Sequence, residues 1–137
     1  MREILFRGKR KGDNKWVYGS FARYNLEDGT ADMFLPEYGV LFSVHIDTLG
    51  QFTGLTANGT KIFEGDIVKD GDTQGIVTFG KHRIPCCGCC YQYHNTIGFY
   101  VDDGKGNIFS DEDTWNVLEV IGNIHDNPEL MESEATI

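Results

Sequence analysis

Between Gln51 and Val68 the chain reads Gln-Phe-Thr-Gly-Leu-Thr-Ala-Asn-Gly-Thr-Lys-Ile-Phe-Glu-Gly-Asp-Ile-Val. Two turn dipeptides, Asn58-Gly59 and Gly65-Asp66, cut it into apolar segments too short for helices. Asn-Gly between short apolar runs is a strong local signal for a β-hairpin, because both residues tolerate positive φ. The stretch predicts tightly turned β structure. It contains no nucleophile–base pair, no metal quartet and no phosphate loop, so it constrains architecture and says little about chemistry.

The flanking sequence continues the pattern. Residues 2–7 alternate around Ile4, Leu5 and Phe6 and predict a first strand, followed by a polar loop from Gly8 to Asn14. Lys15 to Tyr24 carries Trp16, Val17, Tyr18, Phe21 and Tyr24 and predicts the returning strand. Gly19 in its middle marks a bulge or a close backbone approach. Met33–Leu35 and Val40–Ile46 are short apolar runs separated by Pro36 to Gly39. After the Asp70-Gly71-Asp72 turn, Gly75 to Gly80 reads as another strand, and two such strands joined tightly suit a small bent barrel.

Lys81 to Thr96 is the least regular segment and holds every cysteine. Ile97, Phe99 and Val101 then alternate, and Trp115 to Ile124 is apolar on nearly every side, which predicts a central strand buried on both faces. Asn127-Pro128-Glu129 is a helix-start signal, and residues 132–137 read as a flexible C-terminal tail. The fold class expected is mainly β, with compact bent or barrel-like sheets and a short C-terminal helical turn. One domain over residues 1–131 is expected, or two closely packed β lobes, about 1–60 and 61–131.

Charge restricts the partners. The net charge is −9, yet residues 1–24 hold seven Lys/Arg and two Asp/Glu, and residues 25–137 hold five and 19. Such an acidic body disfavours the broad basic surface of non-specific DNA binding. The basic head either meets phosphates or pairs with acidic groups of its own chain or of a neighbouring subunit. No apolar run approaches the roughly 20 residues of a membrane span, and the N-terminus lacks a signal-peptide apolar region. A cytoplasmic protein is the expectation, without a membrane partner.

Candidate chemistry is sparse. Pro85-Cys86-Cys87-Gly88-Cys89-Cys90-Tyr91 offers two Cys-x-x-Cys spacings, the spacing of a zinc knuckle. A tetrahedral site needs four ligands from different directions, so Cys86 and Cys89 would be completed by His82, His94 or a second chain. The alternative is an exposed loop of reduced thiols. A redox role fits less well, because no βαβ unit places these cysteines at a helix start. Asp70-Gly71-Asp72-Thr73-Gln74-Gly75 opens like a calcium loop, but its twelfth position is Lys81 and strands flank it, so that reading fails. His45 and His125 read as structural histidines. Trp16, Tyr18, Tyr91, Tyr93, Phe99 and Tyr100 read as core aromatics, with a nucleic-acid stacking platform as the rival. No catalytic residue is identified, no cofactor other than zinc is indicated, and the expectation is a protein that is not an enzyme.

Three blocks carry a resemblance: Met-Arg-Glu-Ile-Leu-Phe-Arg-Gly at 1–8, the Gln51–Val68 stretch, and Glu-Val-Ile-Gly-Asn-Ile-His-Asp-Asn-Pro-Glu-Leu at 119–130. Together they resemble the YopX family, small proteins of phages and prophages of low-GC Gram-positive bacteria. The resemblance implies a mainly β fold and a homo-oligomer, and it implies no known activity and no catalytic or ligand-binding residue. The cysteine loop departs from the family pattern. The function expected is a non-enzymatic, homo-oligomeric interaction module acting on an unidentified host or phage protein. The alternatives are a phage accessory nucleic-acid-binding protein, or a metal-binding or redox protein acting through the 82–94 loop.

Overall fold

The computed structural model describes residues 3–85, 93–104, 108–109, 115 and 117–131. The chain divides into two compact units, residues 1–54 and 55–137. Both are built from antiparallel sheet, as the turn spacing requires.

In the first unit, β1 (Phe6–Lys9), β2 (Trp16–Asn25), β3 (Thr30–Leu35), β4 (Val40–His45) and the start of β5 (Gly50–Ala57) lie in the order β4-β3-β2-β1-β5. Just past β1, Arg10 bridges to Val44 and the Lys11 N–H donates to the Ser43 carbonyl at 2.9 Å. The far edge of the sheet thus returns to its own first strand, a barrel-like closure that leaves less bare edge. Ala31, Met33 and Leu35 alternate onto one face and bury with Val44, packed by Phe6, Val17, Phe21 and Phe42. A Val, Leu, Met or Phe side chain contributes about 1.5–3 kcal/mol when fully buried.

The first strand begins later than residues 2–7 predict. It runs from Phe6 into the segment read as a loop, because Gly8 lies close to the side chains of Val44 and Met33. Bare backbone at that position lets β1 pass close to the core, and polar Arg7 and Lys9 take the other face, above the Trp16 ring.

In the second unit the order is β10 (Ile108–Phe109), β9 (Tyr93–Asp102), β8 (Thr73–Pro85), β7 (Asp66–Asp70) and β11 (Glu119–Asn123). The end of β5 turns at Asn58-Gly59 into β6 (Thr60–Phe63). Its core is Ala57, Ile62, Val68, Val77, Val101, Trp115 and Leu118, packed by Phe99 and Val120. The Glu64-Gly65 turn is tied on two sides: Gly65 N–H donates to the Val77 carbonyl at 2.8 Å, and the Gly65 carbonyl accepts from Ile124 N–H at 3.0 Å.

Two expectations are corrected here. The segment from Lys81 to Thr96 is not irregular at its ends, since residues 81–85 and 93–96 continue the β8–β9 ladder down to Pro85↔Tyr93. Trp115 to Ile124 is not a central strand. Among the described residues only Glu119–Asn123 is extended, at the edge of the sheet beside β7, and Trp115 lies in a helical turn. The C-terminal turn covers part of this edge strand, since a Cβ at Gly122 would meet Asn127 and Leu130, while Val117 just before the strand stays exposed. The Asn127-Pro128-Glu129 signal does start that turn, with the Asn127 carbonyl accepting from Leu130 N–H at 3.1 Å. The 132–137 tail lies outside the described residues.

Candidate interaction surface

β8 and β9 are much longer than the strands beside them. β7 pairs with β8 only from Thr73 to Ile76, and β10 pairs with β9 only at Val101 and Asp102. From Phe79 to Pro85, and from Tyr93 to Phe99, the two strands have only each other as ladder partners among the described residues. A two-stranded ribbon is marginal in water unless something packs on it.

The register sorts its faces. Phe79 is opposite Phe99, Lys81 opposite Ile97, and Arg83 opposite Asn95, so these six residues share one face. That face is exposed, with Ile97 at 73% and Phe79 at 50%, and the Phe79 and Phe99 rings meet edge to face at 5.0 Å. No Asp or Glu occurs between Thr73 and Val101 in a chain whose net charge is −9. The ribbon face is therefore apolar and cationic on an otherwise acidic protein.

The opposite face carries His82, which is 5% exposed and stacks on Tyr100 at 4.4 Å between ring centroids. Its Nδ1 lies 3.1 Å from the Gly80 carbonyl oxygen. His94 occupies the β9 position opposite Ile84, two residues along β8 from His82. Cys86 and Cys89, with Cys87 and Cys90, lie outside the described residues. Of the four metal candidates, the structure thus describes the surroundings of His82 alone.

The basic head folds onto its own unit. Arg10 forms a two-pronged ion pair with Asp13, whose carboxylate also accepts the Lys15 N–H at 3.1 Å. The Arg10 hydrogen bond, followed by that backbone bond, holds the Asp13 carboxyl down at about 2. Arg23 pairs with Asp32 at 2.7 Å, and Arg7, 7% exposed, lies 4.7 Å from the Trp16 ring centroid. His45 Nε2 lies 3.0 Å from the Asn14 side-chain oxygen. The Asp70–Gly75 run turns between two strands. It borders a cleft of about 50 Å³ with Val68, Val101 and Leu118.

The aromatics of the rival stacking-platform reading fall in both units. Trp16 and Tyr18 belong to β2 in the first unit, and Phe99 and Tyr100 to β9 in the second. Tyr91 lies outside the described residues, as does the side chain of Tyr93. No sequence signal marked Phe79 and Ile97 as a surface pair. The absence of carboxylates around them was the legible clue.

No helix among the described residues is long and apolar enough to cross a membrane. No curated protein matches the chain. A family model described as YopX protein matches residues 5–132, and with nearly the whole chain covered, the protein belongs to the YopX family.

Proposed function

We propose that the protein is a non-enzymatic module that acts by contact in the bacterial cytoplasm, in a phage or prophage setting, and that its contact partner is a second copy of itself. The exposed β8–β9 ribbon face carries this reading. Phe79 and Ile97 offer large apolar side chains, each giving about 1.5–3 kcal/mol on full burial. Lys81 and Arg83 beside them meet favourable charge on any copy of the same chain, whose carboxylates all lie outside the Thr73–Val101 stretch. Head-to-tail pairing, with the ribbon face of one copy against an acidic surface of the next, fits this charge distribution.

The internal pairing of the basic head supports a protein partner over nucleic acid. With Arg10 held by Asp13 and Arg23 by Asp32, the first unit balances seven Lys/Arg against seven Asp/Glu. Phosphate binding depends on unpaired positive charge, so this balance weakens it.

Light scattering on a size-exclusion column tests the reading. Wild type is expected as an oligomer, and the double variant Phe79→Lys/Ile97→Lys as a monomer with an unchanged melting temperature. A wild type that is monomeric at tens of micromolar overturns it. Fluorescence anisotropy showing low-salt binding to oligonucleotides, lost in Lys9→Ala/Lys11→Ala, would replace it with the nucleic-acid role.

A further inference from the structure

Granted the self-contact proposed above, the ribbon face needs a counterpart on the next copy. Ribbon against ribbon is disfavoured, because Lys81 and Arg83 would approach the same two cations of the other copy. The counterpart is therefore expected to be exposed, apolar at its centre and acidic at its rim.

The chain segregates its charge into two complementary stretches. Thr73 to Val101 holds no Asp or Glu, and Tyr24 to Thr60 holds no Lys or Arg but five carboxylates. In the second stretch the turn from β2 into β3 stands out. Leu26 is 82% exposed and Tyr24 58%, with Glu27 and Asp28 exposed beside them. Exposed Asp47 follows closely, since the Ile46 N–H donates to the Gly29 carbonyl at 2.9 Å. Arg23, the nearest cation in sequence, is held by Asp32 at 2.7 Å, and Lys11 acts on Asp28. The turn is also held in one shape. The Asp28 carboxylate accepts from the Thr30 N–H at 3.1 Å and from its hydroxyl at 2.6 Å, and the Phe21 ring supports Tyr24 at 4.6 Å. Such preorganisation lowers the ordering cost of binding. The β3–β4 turn exposes Tyr38, Val40 and Leu41 as well, but Glu37 is its one carboxylate and Arg10 lies over neighbouring Phe42, so it lacks an acidic rim.

We propose that the β2–β3 turn, with Tyr24 and Leu26 at its centre and Glu27 and Asp47 at its rim, receives the β8–β9 ribbon of a neighbouring copy. Phe79 and Ile97 bury against Tyr24 and Leu26, while Lys81, with Arg83 beside it, meets the carboxylates. The contact is heterologous, so every copy offers one turn and one ribbon, and assembly is complete only when a ring closes.

Charge exchange between the two surfaces tests this. Glu27→Lys/Asp47→Lys and Lys81→Glu/Arg83→Glu are each expected to be monomeric by light scattering at a concentration where wild type is an oligomer. An equal mixture of the two is expected to recover the wild-type mass, because each ribbon then meets a turn of opposite charge. Leu26→Lys should raise the dissociation constant at least about tenfold, as for an anchor residue of an interface. Amide hydrogen exchange of wild type should slow at residues 24–29 as the concentration rises, a readout that does not depend on any variant folding. An oligomer that persists in Glu27→Lys/Asp47→Lys, a mixture that stays monomeric, or unchanged exchange at 24–29 while wild type assembles each overturn the turn as the receiving surface. In those cases self-contact through the ribbon still stands, whereas a monomeric wild type overturns the self-contact itself and this inference with it.

Discussion

Asp66 is 2% exposed and accepts the backbone N–H of Phe63 through its carboxylate at 2.7 Å. It thereby closes the Glu64-Gly65 turn from inside, while Gly65 itself is bonded to Val77 and Ile124. Replacing Asp66 with Ala leaves the Phe63 N–H buried without that acceptor, and the expected loss is about 1–3 kcal/mol. Asp66→Asn keeps an acceptor oxygen and should lose less. Urea unfolding of the two variants beside wild type checks the order.

The Asn58-Gly59 turn tests the local code. Both residues have positive φ, 52° and 83°, which a two-residue type I′ hairpin requires. Gly59→Ala forces an L side chain into that region and should cost about 1–2 kcal/mol. Asn58→Gly should stay within about 0.5 kcal/mol of wild type. Equal effects of the two substitutions in thermal unfolding would contradict the turn assignment.

Gly19 tests close approach. A Cβ there would stand 2.2 Å from the Phe34 carbonyl oxygen, which is backbone and cannot swing aside. Gly19→Ala should therefore destabilise by about 3 kcal/mol or more, at the upper end of overpacking. Gly12, where a Cβ meets nothing within 4 Å, supplies the control. Gly12→Ala should change stability by no more than about 0.5 kcal/mol.

The Arg10–Asp13 pair predicts an acid response with a definite sign. Asp13 titrates at about 2 in the folded protein against an ordinary 3.8, because Arg10 and the Lys15 N–H stabilise its anion. A depressed carboxyl contributes stability that is complete above the unfolded value and fades as pH falls through the folded one. The window is thus from 3.8 down to about 2. Asp28, lowered mainly by the Thr30 hydroxyl, contributes in the same direction. Carboxyl-carbon NMR should place the Asp13 midpoint near 2, and Arg10→Ala should move it upward toward the ordinary value.

The contact proposal draws on one face of the β8–β9 ribbon, and that ribbon was only half legible beforehand. Ile97, Phe99 and Val101 alternate visibly, so β9 could be read from its C-terminal half. Lys81-His82-Arg83 shows no apolar alternation, because one of its faces is exposed and the other buries a histidine. Periodicity registers apolar side chains, and a strand that buries polar ones leaves no such trace.

Trp115 to Ile124 failed in the opposite way. Continuous hydrophobicity predicts that both sides are covered, but Val117 is exposed and the strand residues after Glu119 are only half-buried. Here the C-terminal turn covers an edge strand, through Asn127 and Leu130 over Gly122. A second sheet neighbour would have left the same sequence pattern.

What could be read from the residues in order was whatever depends on near neighbours in the chain: the mainly β class, the hairpin at Asn58-Gly59, a turn at Gly65 and a bulge or close approach at Gly19. Turn chemistry and alternation are local, so they survive without a fold. The return of Arg10 to Val44, the length of β8 and β9, the shared face of Phe79 and Ile97, and the stacking of His82 on Tyr100 all join residues distant in sequence. Their geometry depends on strand register, and register is a property of the assembled sheet.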